Sequence, residues 1–89
     1  MRGKRVHVAS SHELNPGEYS RTPHGWRAMT PNGHLASLDA HDVAENPDGT
    51  ITVSPSIKVM SSRWDETKKT MVPCEVWHGY LERGEWLPA

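Results

Sequence analysis

The sequence is poor in the residues that often hold a small protein together. It contains one cysteine, Cys74, and no phenylalanine. A single cysteine excludes an internal disulfide framework, so stability must come from packing, from a partner subunit or from a metal held mainly by other residues. Four tryptophans then supply the bulky apolar groups. With 89 residues, the chain has room for one domain with one modest core.

Long hydrophobic runs and an excess of one charge are also absent. No apolar stretch approaches the roughly 18 residues of a membrane-spanning helix, and the basic residues 1–5 are not followed by the apolar segment of a signal peptide. We therefore expect a cytoplasmic protein that does not contact membranes. The formal net charge is -1 and the basic residues are scattered, which disfavours nucleic acid as a partner. Residues 1–4 are predicted to form a flexible basic tail.

What the chain does have is a regular series of turn signals. Residues that set or tolerate turn dihedrals recur at 15–17, 31–33, 46–49, 54–56 and 82–84. The segments between them predict strands over 5–9, 25–30, 34–38, 41–45 and 50–54. The last four are predicted to form two successive hairpins, 25–38 and 41–54. A helix over 38–46 is the alternative for one segment, although its residues are weak helix formers. The sequence thus predicts a single all-β, mainly antiparallel domain over residues 1–89, a small sandwich or partly open barrel of about six to eight short strands with a C-terminal hairpin.

The segment 61–73 differs from the rest because it is polar and has no period of two. It is predicted to be a long loop, and long loops in small domains are often functional. Trp64 lies within its charged run. An indole in such a loop either packs back on the core or contacts a partner, so Trp64 is a candidate partner-binding residue.

The C-terminal segment 75–87 predicts a hairpin around Glu82-Arg83-Gly84. A type I turn followed by a left-handed glycine pairs Leu81 with Glu85 and Tyr80 with Trp86. A hairpin that is apolar on both sides is either sandwiched between layers or reserves one face for a partner. In this register one face carries Val76, His78, Tyr80, Trp86 and Pro88, and the other carries Trp77, Gly79, Leu81 and Leu87. The candidate partner-binding residues of the hairpin are His78, Tyr80 and Trp86.

Six histidines and Cys74 raise the question of a metal site. In one extended strand the α-carbons of Cys74 and His78 are about 13 Å apart, too far to share a zinc ion. They can meet only if the chain folds back at Pro73, while His34 and His41 flank the link between two predicted strands. The main expectation is that no cofactor is bound. The alternative is a zinc ion held by His78, Cys74, His34 and His41.

The sequence lacks the motifs of common enzyme mechanisms. Cys74 with a histidine and Asp39 or Asp42 is the set that nucleophilic catalysis could use, but nothing around Cys74 resembles a nucleophile elbow. No glycine-rich phosphate-binding loop occurs in the sequence. The chain is therefore predicted not to be an enzyme.

Two segments resemble a family of small phage and bacterial proteins of unknown function: Pro47-Asp-Gly-Thr-Ile-Thr-Val-Ser-Pro-Ser-Ile57 and Trp77-His-Gly-Tyr-Leu-Glu-Arg-Gly-Glu-Trp86. In that family a Thr-x-x-Pro-Ser-Ile-like strand precedes a hairpin that begins with histidine, and the likeness covers roughly residues 24–87. Other members are richer in cysteine, which implies a zinc-stabilised β-fold, whereas this chain has His78 and only Cys74.

The resemblance implies a phage or prophage accessory protein that acts in the host cytoplasm. Such a protein is expected to bind a host or viral macromolecule, with a protein as the main partner and a homodimer as a further option. Two alternative functions remain open. One is a small zinc-binding β-module, and the other is a single-stranded nucleic-acid-binding protein whose Trp and Tyr side chains stack on bases.

Overall fold

Two four-stranded β-sheets make up the chain. In the computed structural model, which describes all of residues 1–89, sheet 1 has the strand order β1-β2-β3-β4 and sheet 2 the order β5-β6-β7-β8. The strands of sheet 1 are β1 (Lys4–Arg5), β2 (Glu18–Thr22), β3 (Gly25–Met29) and β4 (Leu35–Ser37). Those of sheet 2 are β5 (Asp42–Glu45), β6 (Ile51–Asp65), β7 (Thr70–Glu82) and β8 (Glu85–Pro88). The predicted all-β, mainly antiparallel fold is confirmed, and the sheets form a small sandwich rather than a closed barrel.

Helical structure is limited to one 3-10 turn. It spans Ser11–Glu13, and its capping box joins Ser10 and Glu13. No helix of the chain is long and apolar enough to cross a membrane.

Two predicted hairpins are confirmed, and their turns are specified by nearby residues. Gly33 lies in the turn between β3 and β4 at φ 87°, and Gly49 lies in the turn between β5 and β6 at φ 86°. These are angles that favour glycine. Thr50 N donates a hydrogen bond to Asp48 Oδ1 at 3.0 Å, which fixes the second turn. The helix considered over 38–46 is excluded by β5.

The first strand is shorter than predicted, and β2 was not predicted. β1 ends at Arg5, whereas the predicted strand extends over 5–9. β2 pairs with β3 and buries Tyr19 and Ser20. Its sequence, Glu-Tyr-Ser-Arg-Thr, has no aliphatic alternation, so its burial against the other sheet defines it rather than a local pattern.

The predicted flexible tail is wrong, because the first residues extend the edge of sheet 2. Trp86 N donates a hydrogen bond to Met1 O at 2.8 Å, and the Met1 ammonium donates to Trp86 O at 3.2 Å. Gly3 N donates to Gly84 O at 2.7 Å. The chain then crosses to sheet 1, where β1 pairs in parallel with β2. The first residues thus connect the two sheets at one edge.

The core lies between the two sheets. Trp86 is its largest side chain, and the indole Nε1 donates to Gly17 O at 3.0 Å, so the polar atom of the ring is satisfied. Trp77 packs edge-on against this indole, with the ring centroids 5.3 Å apart. The other buried apolar residues of the core are Tyr19, Ala28, Ala36, Leu38, Ile51, Val53, Ile57 and Leu81.

Strands β6 and β7 continue far beyond this core. β5 pairs with β6 only from Ile51 to Ser54, and β8 pairs with β7 only from Gly79 to Glu82. The two-stranded ribbon formed by residues 60–75 has no neighbouring strand, and we call it the arm. The arm elongates the molecule to 51 × 27 × 22 Å with a radius of gyration of 14.0 Å, against about 12 Å for a compact domain of this length.

The long loop predicted over 61–73 is wrong, since only residues 66–69 form the turn of the arm. Asp65 Oδ1 accepts hydrogen bonds from Thr67 N at 2.9 Å and from Lys68 N at 3.0 Å, and Lys69 takes φ 54°. Most arm residues are exposed. Without a buried face, the strands have no apolar and polar alternation to reveal them.

Candidate functional site

The hairpin between β7 and β8 closes through a two-residue turn. Arg83 and Gly84 have φ 46° and 74°, the left-handed pair that a type I′ turn requires. Arg83 N donates to Thr52 Oγ1 at 3.0 Å, and Gly84 N donates to Ile51 O at 3.0 Å. Contacts with β6 therefore hold this turn, and the three-residue connection predicted from the sequence is wrong.

The shorter turn shifts the hairpin register by one residue. Leu81 pairs with Trp86 and Tyr80 with Leu87, whereas the predicted register paired Tyr80 with Trp86. A shift of one residue exchanges the faces of a strand. Trp86 and Leu81 point into the core and are 0% exposed. Trp86, predicted as a partner-binding residue, is thus a core residue.

The side of sheet 2 that faces away from sheet 1, which we call the outer face, runs the whole length of β7. Directly opposite residues of antiparallel strands share a face, as do residues two apart on one strand. The one-residue bulge at Val76 leaves the alternation of β6 unchanged. The outer face therefore carries the pairs Glu82 with Glu85, Tyr80 with Leu87, Lys58 with His78, Met60 with Glu75, Ser62 with Pro73, and Trp64 with Met71. Three of the predicted partner-binding residues, His78, Tyr80 and Trp64, lie on it.

Large apolar side chains are concentrated on the outer face. Five of the seven exposed large apolar residues of the chain lie there, each 39–55% exposed: Met60, Trp64, Met71, Tyr80 and Leu87. The solvent face of an antiparallel sheet is ordinarily polar. Exposed apolar groups grouped on one face mark an interaction surface, and aromatic residues and Met are enriched in protein interfaces.

A cleft of about 300 Å³ opens on the outer face beside Tyr80. Val53 pairs with Leu81 and Ile57 pairs with Gly79. Between these two pairs β6 has three residues and β7 has one, so the extra residues of β6 bulge from the sheet and form the cleft. The cleft is lined by residues 52–56, Tyr80 and Glu82.

Ser56, in the wall of the cleft, is contacted by two histidines. His78 Nε2 lies 3.0 Å from Ser56 Oγ, and His41 Nε2 lies 3.1 Å from Ser56 O. A carbonyl oxygen only accepts, so His41 Nε2 is the donor, and the buried His41 Nδ1 has no hydrogen-bond partner. Glu75 Oε1 is 3.9 Å from His78 Nδ1, too far for the hydrogen bond that orients the histidine of a serine, histidine and carboxylate triad. The two histidines instead fix the position of the bulge.

Among the four predicted zinc ligands, His41 and His78 meet at Ser56 and the other two lie apart. Cys74 pairs with Ser61, on the face opposite to His78. His34 lies in the turn that precedes β4 of sheet 1. No group of three or more His, Cys, Asp or Glu residues is placed to hold a metal ion, so the predicted four-residue ligand set is not assembled in this structure.

The charges on and beside the outer face are mixed in sign. Lys58 Nζ lies 3.8 Å from Glu75 Oε1. Glu82, at the rim of the cleft, makes no ion pair, and neither do Lys68 and Lys69 in the turn of the arm. Arg83 beside Glu82 and Glu66 beside the two lysines also make no ion pair, so each end of the outer face carries unpaired charges of both signs.

Displaced pKa values occur elsewhere in the molecule and have structural causes. A hydrogen bond from Arg27 lowers the pKa of Asp39, and hydrogen bonds from Thr50 lower the pKa of Asp48. Burial raises the pKa of Tyr19, a core residue. None of these groups lies on the outer face.

No family model, curated protein or solved structure matches this chain. The resemblance to small phage and bacterial proteins therefore stays a prediction. The geometry of the outer face is what bears on function.

Proposed function

We propose that this chain is a non-enzymatic accessory protein that binds another protein through the outer face of sheet 2. The observation that carries the proposal is the line of exposed apolar side chains from Leu87 and Tyr80 through Met60 to Trp64 and Met71. Burying such groups against a partner removes apolar surface from water, at about 25 cal/mol for each Å². The resemblance to phage and bacterial proteins favours a host or viral protein as the partner.

The charge of the outer face supports a protein partner over a nucleic acid. A nucleic-acid surface needs a continuous basic stripe. Here Lys58 lies against Glu75, and Glu82 lies opposite Glu85. Interspersed charges of both signs are instead typical of the polar rim of a protein interface.

The arm favours recognition through its face rather than through its strand edges. Pro73 has no amide hydrogen, and a bulge interrupts β7 at Val76, two features that protect an edge from pairing with another strand. Asn32 Nδ2 also donates to Val76 O at 2.9 Å. The side chains of the outer face carry no such protection.

Site-specific photo-crosslinking in the cells that produce the protein tests the proposal. A photoreactive amino acid replaces Trp64 or Tyr80 on the outer face, and the matched control replaces Leu35, which is exposed on sheet 1. Adducts are expected at positions 64 and 80 and not at 35. Absence of adducts at 64 and 80, or equal yields at all three positions, would contradict the proposal.

A further inference from the structure

We propose that the partner of the outer face is a second copy of this chain, with Trp64 of each copy inserted into the cleft of the other. This inference rests on the proposed function and names its partner. The two copies pack outer face on outer face, with their β7 strands antiparallel. The two-fold axis crosses the strands at Met60 and Glu75. The Glu75 carboxylates of the two copies meet there, and Lys58, 3.8 Å from Glu75 in each copy, offsets their charge.

The first argument is the symmetry of the pattern along β7. Glu75 lies at the centre of the outer-face residues of β7. The next outer-face residues toward the tip of the arm are Pro73 and Met71. Those in the other direction are His78 and Tyr80. An axis at the centre therefore places apolar Met71 over apolar Tyr80 of the second copy. An isologous interface requires this kind of self-complementary order.

The second argument is the match between Trp64 and the cleft. An axis that runs across the strands keeps β6 over β6, so the end of β6 that carries Trp64 lies over the bulged residues 54–56 of the second copy. Those residues, together with Tyr80, line the cleft of about 300 Å³. This volume is at the lower end of the range for binding pockets, and suits one aromatic side chain. Trp64 is 51% exposed in the single chain.

The third argument is charge. Glu82 lies directly opposite Glu85, an unfavourable pairing of like charges. Glu85 is balanced by the Met1 ammonium at 3.7 Å, whereas Glu82 makes no ion pair. Lys68 and Lys69 of the second copy lie over this end of the sheet in the antiparallel arrangement. Both are unpaired in the single chain, so the dimer places a cation over Glu82.

The fourth argument is the size of the surface and the need of the arm for support. The 13 residues of β7 extend about 40 Å, and two paired strands are about 10 Å wide. The projected area is therefore about 400 Å² on each copy, and the relief of the side chains increases the accessible area toward the roughly 800 Å² per partner of a standard interface. An isolated two-stranded ribbon is only marginally stable, and in the dimer each arm packs on the sheet of the other copy.

Sedimentation equilibrium over a range of concentrations tests the proposal. The wild-type protein is expected to show a dimer of about 20 kDa, twice the 10.0 kDa of the chain. Trp64→Ser is expected to weaken dimerisation at least about tenfold, as removal of an aromatic anchor from its pocket does. The matched control Leu35→Ser, on sheet 1, is expected to leave it unchanged. Circular dichroism confirms that both variants are folded.

A charge exchange tests the arrangement itself. Lys68→Glu with Lys69→Glu is expected to weaken the dimer about tenfold, and so is Glu82→Lys, because each places like charges together. Combining all three substitutions restores opposite charges across the axis and is expected to recover the affinity. Recovery cannot come from a purely structural effect of the single changes.

Crosslinking at the axis provides an independent measurement. In a Cys74→Ser background, Met60→Cys places two thiols at the axis, within reach of a bismaleimide with a spacer of about 10 Å, the distance between packed sheets. Met71→Cys places them about 26 Å apart, since each lies four residues from the axis. Covalent dimers are expected for Met60→Cys and not for Met71→Cys.

Several outcomes overturn the inference: a monomer at all concentrations, an unweakened dimer in folded Trp64→Ser, or no recovery in the charge exchange. The photo-crosslinking experiment separates these outcomes from failure of the proposed function. Adducts at positions 64 and 80 with a different protein contradict the second copy and leave the proposed function standing. Absence of any adduct contradicts both.

Discussion

The two halves of the β6–β7 hairpin use the same strands in different ways. In the half next to β5 and β8, Ile51, Val53, Ile57 and Leu81 are buried against sheet 1. In the arm, the strands have no neighbours, and the large apolar residues Met60, Trp64 and Met71 remain exposed. The first half stabilises the fold, and the second half presents side chains that the fold of one chain does not use.

Substitution of two tryptophans gives the largest expected contrast between these halves. Trp86→Ala removes a fully buried indole that donates to Gly17 O, and a loss of about 3 to 5 kcal/mol in unfolding free energy is expected. Trp64→Ala, in the arm, is expected to change the stability of the monomer by less than about 0.5 kcal/mol. Urea denaturation at a concentration where the chain is monomeric measures both values. Equal losses would show that the arm is part of the core.

A methyl group at the boundary between the two halves should have a smaller effect. A Cβ at Gly79 would lie 2.5 Å from Leu87 O and 2.5 Å from the Trp77 ring. Gly79→Ala is therefore expected to lower the free energy of unfolding by about 1 to 3 kcal/mol through overpacking. Gly33→Ala is the comparison, because a Cβ there meets nothing within 4 Å and only its φ of 87° opposes the change. A smaller loss for Gly79→Ala than for Gly33→Ala in the same denaturation experiment would contradict the steric argument.

The smallest expected effect concerns the loss of stability in acid that Asp39 and Asp48, both outside the arm, contribute. The pKa values of Asp39 and Asp48 are lowered from 3.8 by hydrogen bonds in the folded state. A lowered pKa contributes stability that is present above pH 3.8 and is lost as the pH falls through the folded-state value. Denaturation between pH 2 and 6 should therefore show a shallower acid loss in Asp39→Asn and Asp48→Asn than in the wild type. Identical profiles of stability against pH in the variants and the wild type would show that these two carboxylates do not cause the loss of stability in acid.

The parts of the fold that were predictable depend on nearby residues. Gly33 and Gly49 mark their turns in the sequence, and the β3–β4 and β5–β6 hairpins follow from them. The β7–β8 register was not predictable, because Arg83 takes φ 46° while its amide donates to Thr52. That contact comes from a distant part of the chain. The arm was missed because its exposed strands have no buried side to impose a period of two.

The candidate site was predicted in part for the same reason. Three of the partner-binding residues predicted from the sequence do lie on the outer face: His78, Tyr80 and Trp64. The cleft and Ser56 were not identified. The cleft forms because β6 has more residues than β7 between two paired positions. That difference is fixed by how the two strands pair, and the residue spacing within one strand does not reveal it.

The contact between Asn32 and Val76 O has a mechanical consequence. Asn32 Nδ2 lies 2.9 Å from Val76 O, so the hydrogen bond holds β7 against a turn of sheet 1. Val76 directly follows the last residue of the arm. The arm extends about 20 Å from that point, so a rotation of about 10° at its base would displace the tip by about 3 to 4 Å. The hydrogen bond from the side-chain amide of Asn32 thus opposes rotation of the arm. The strength of this bond determines how precisely the tip of the arm is positioned.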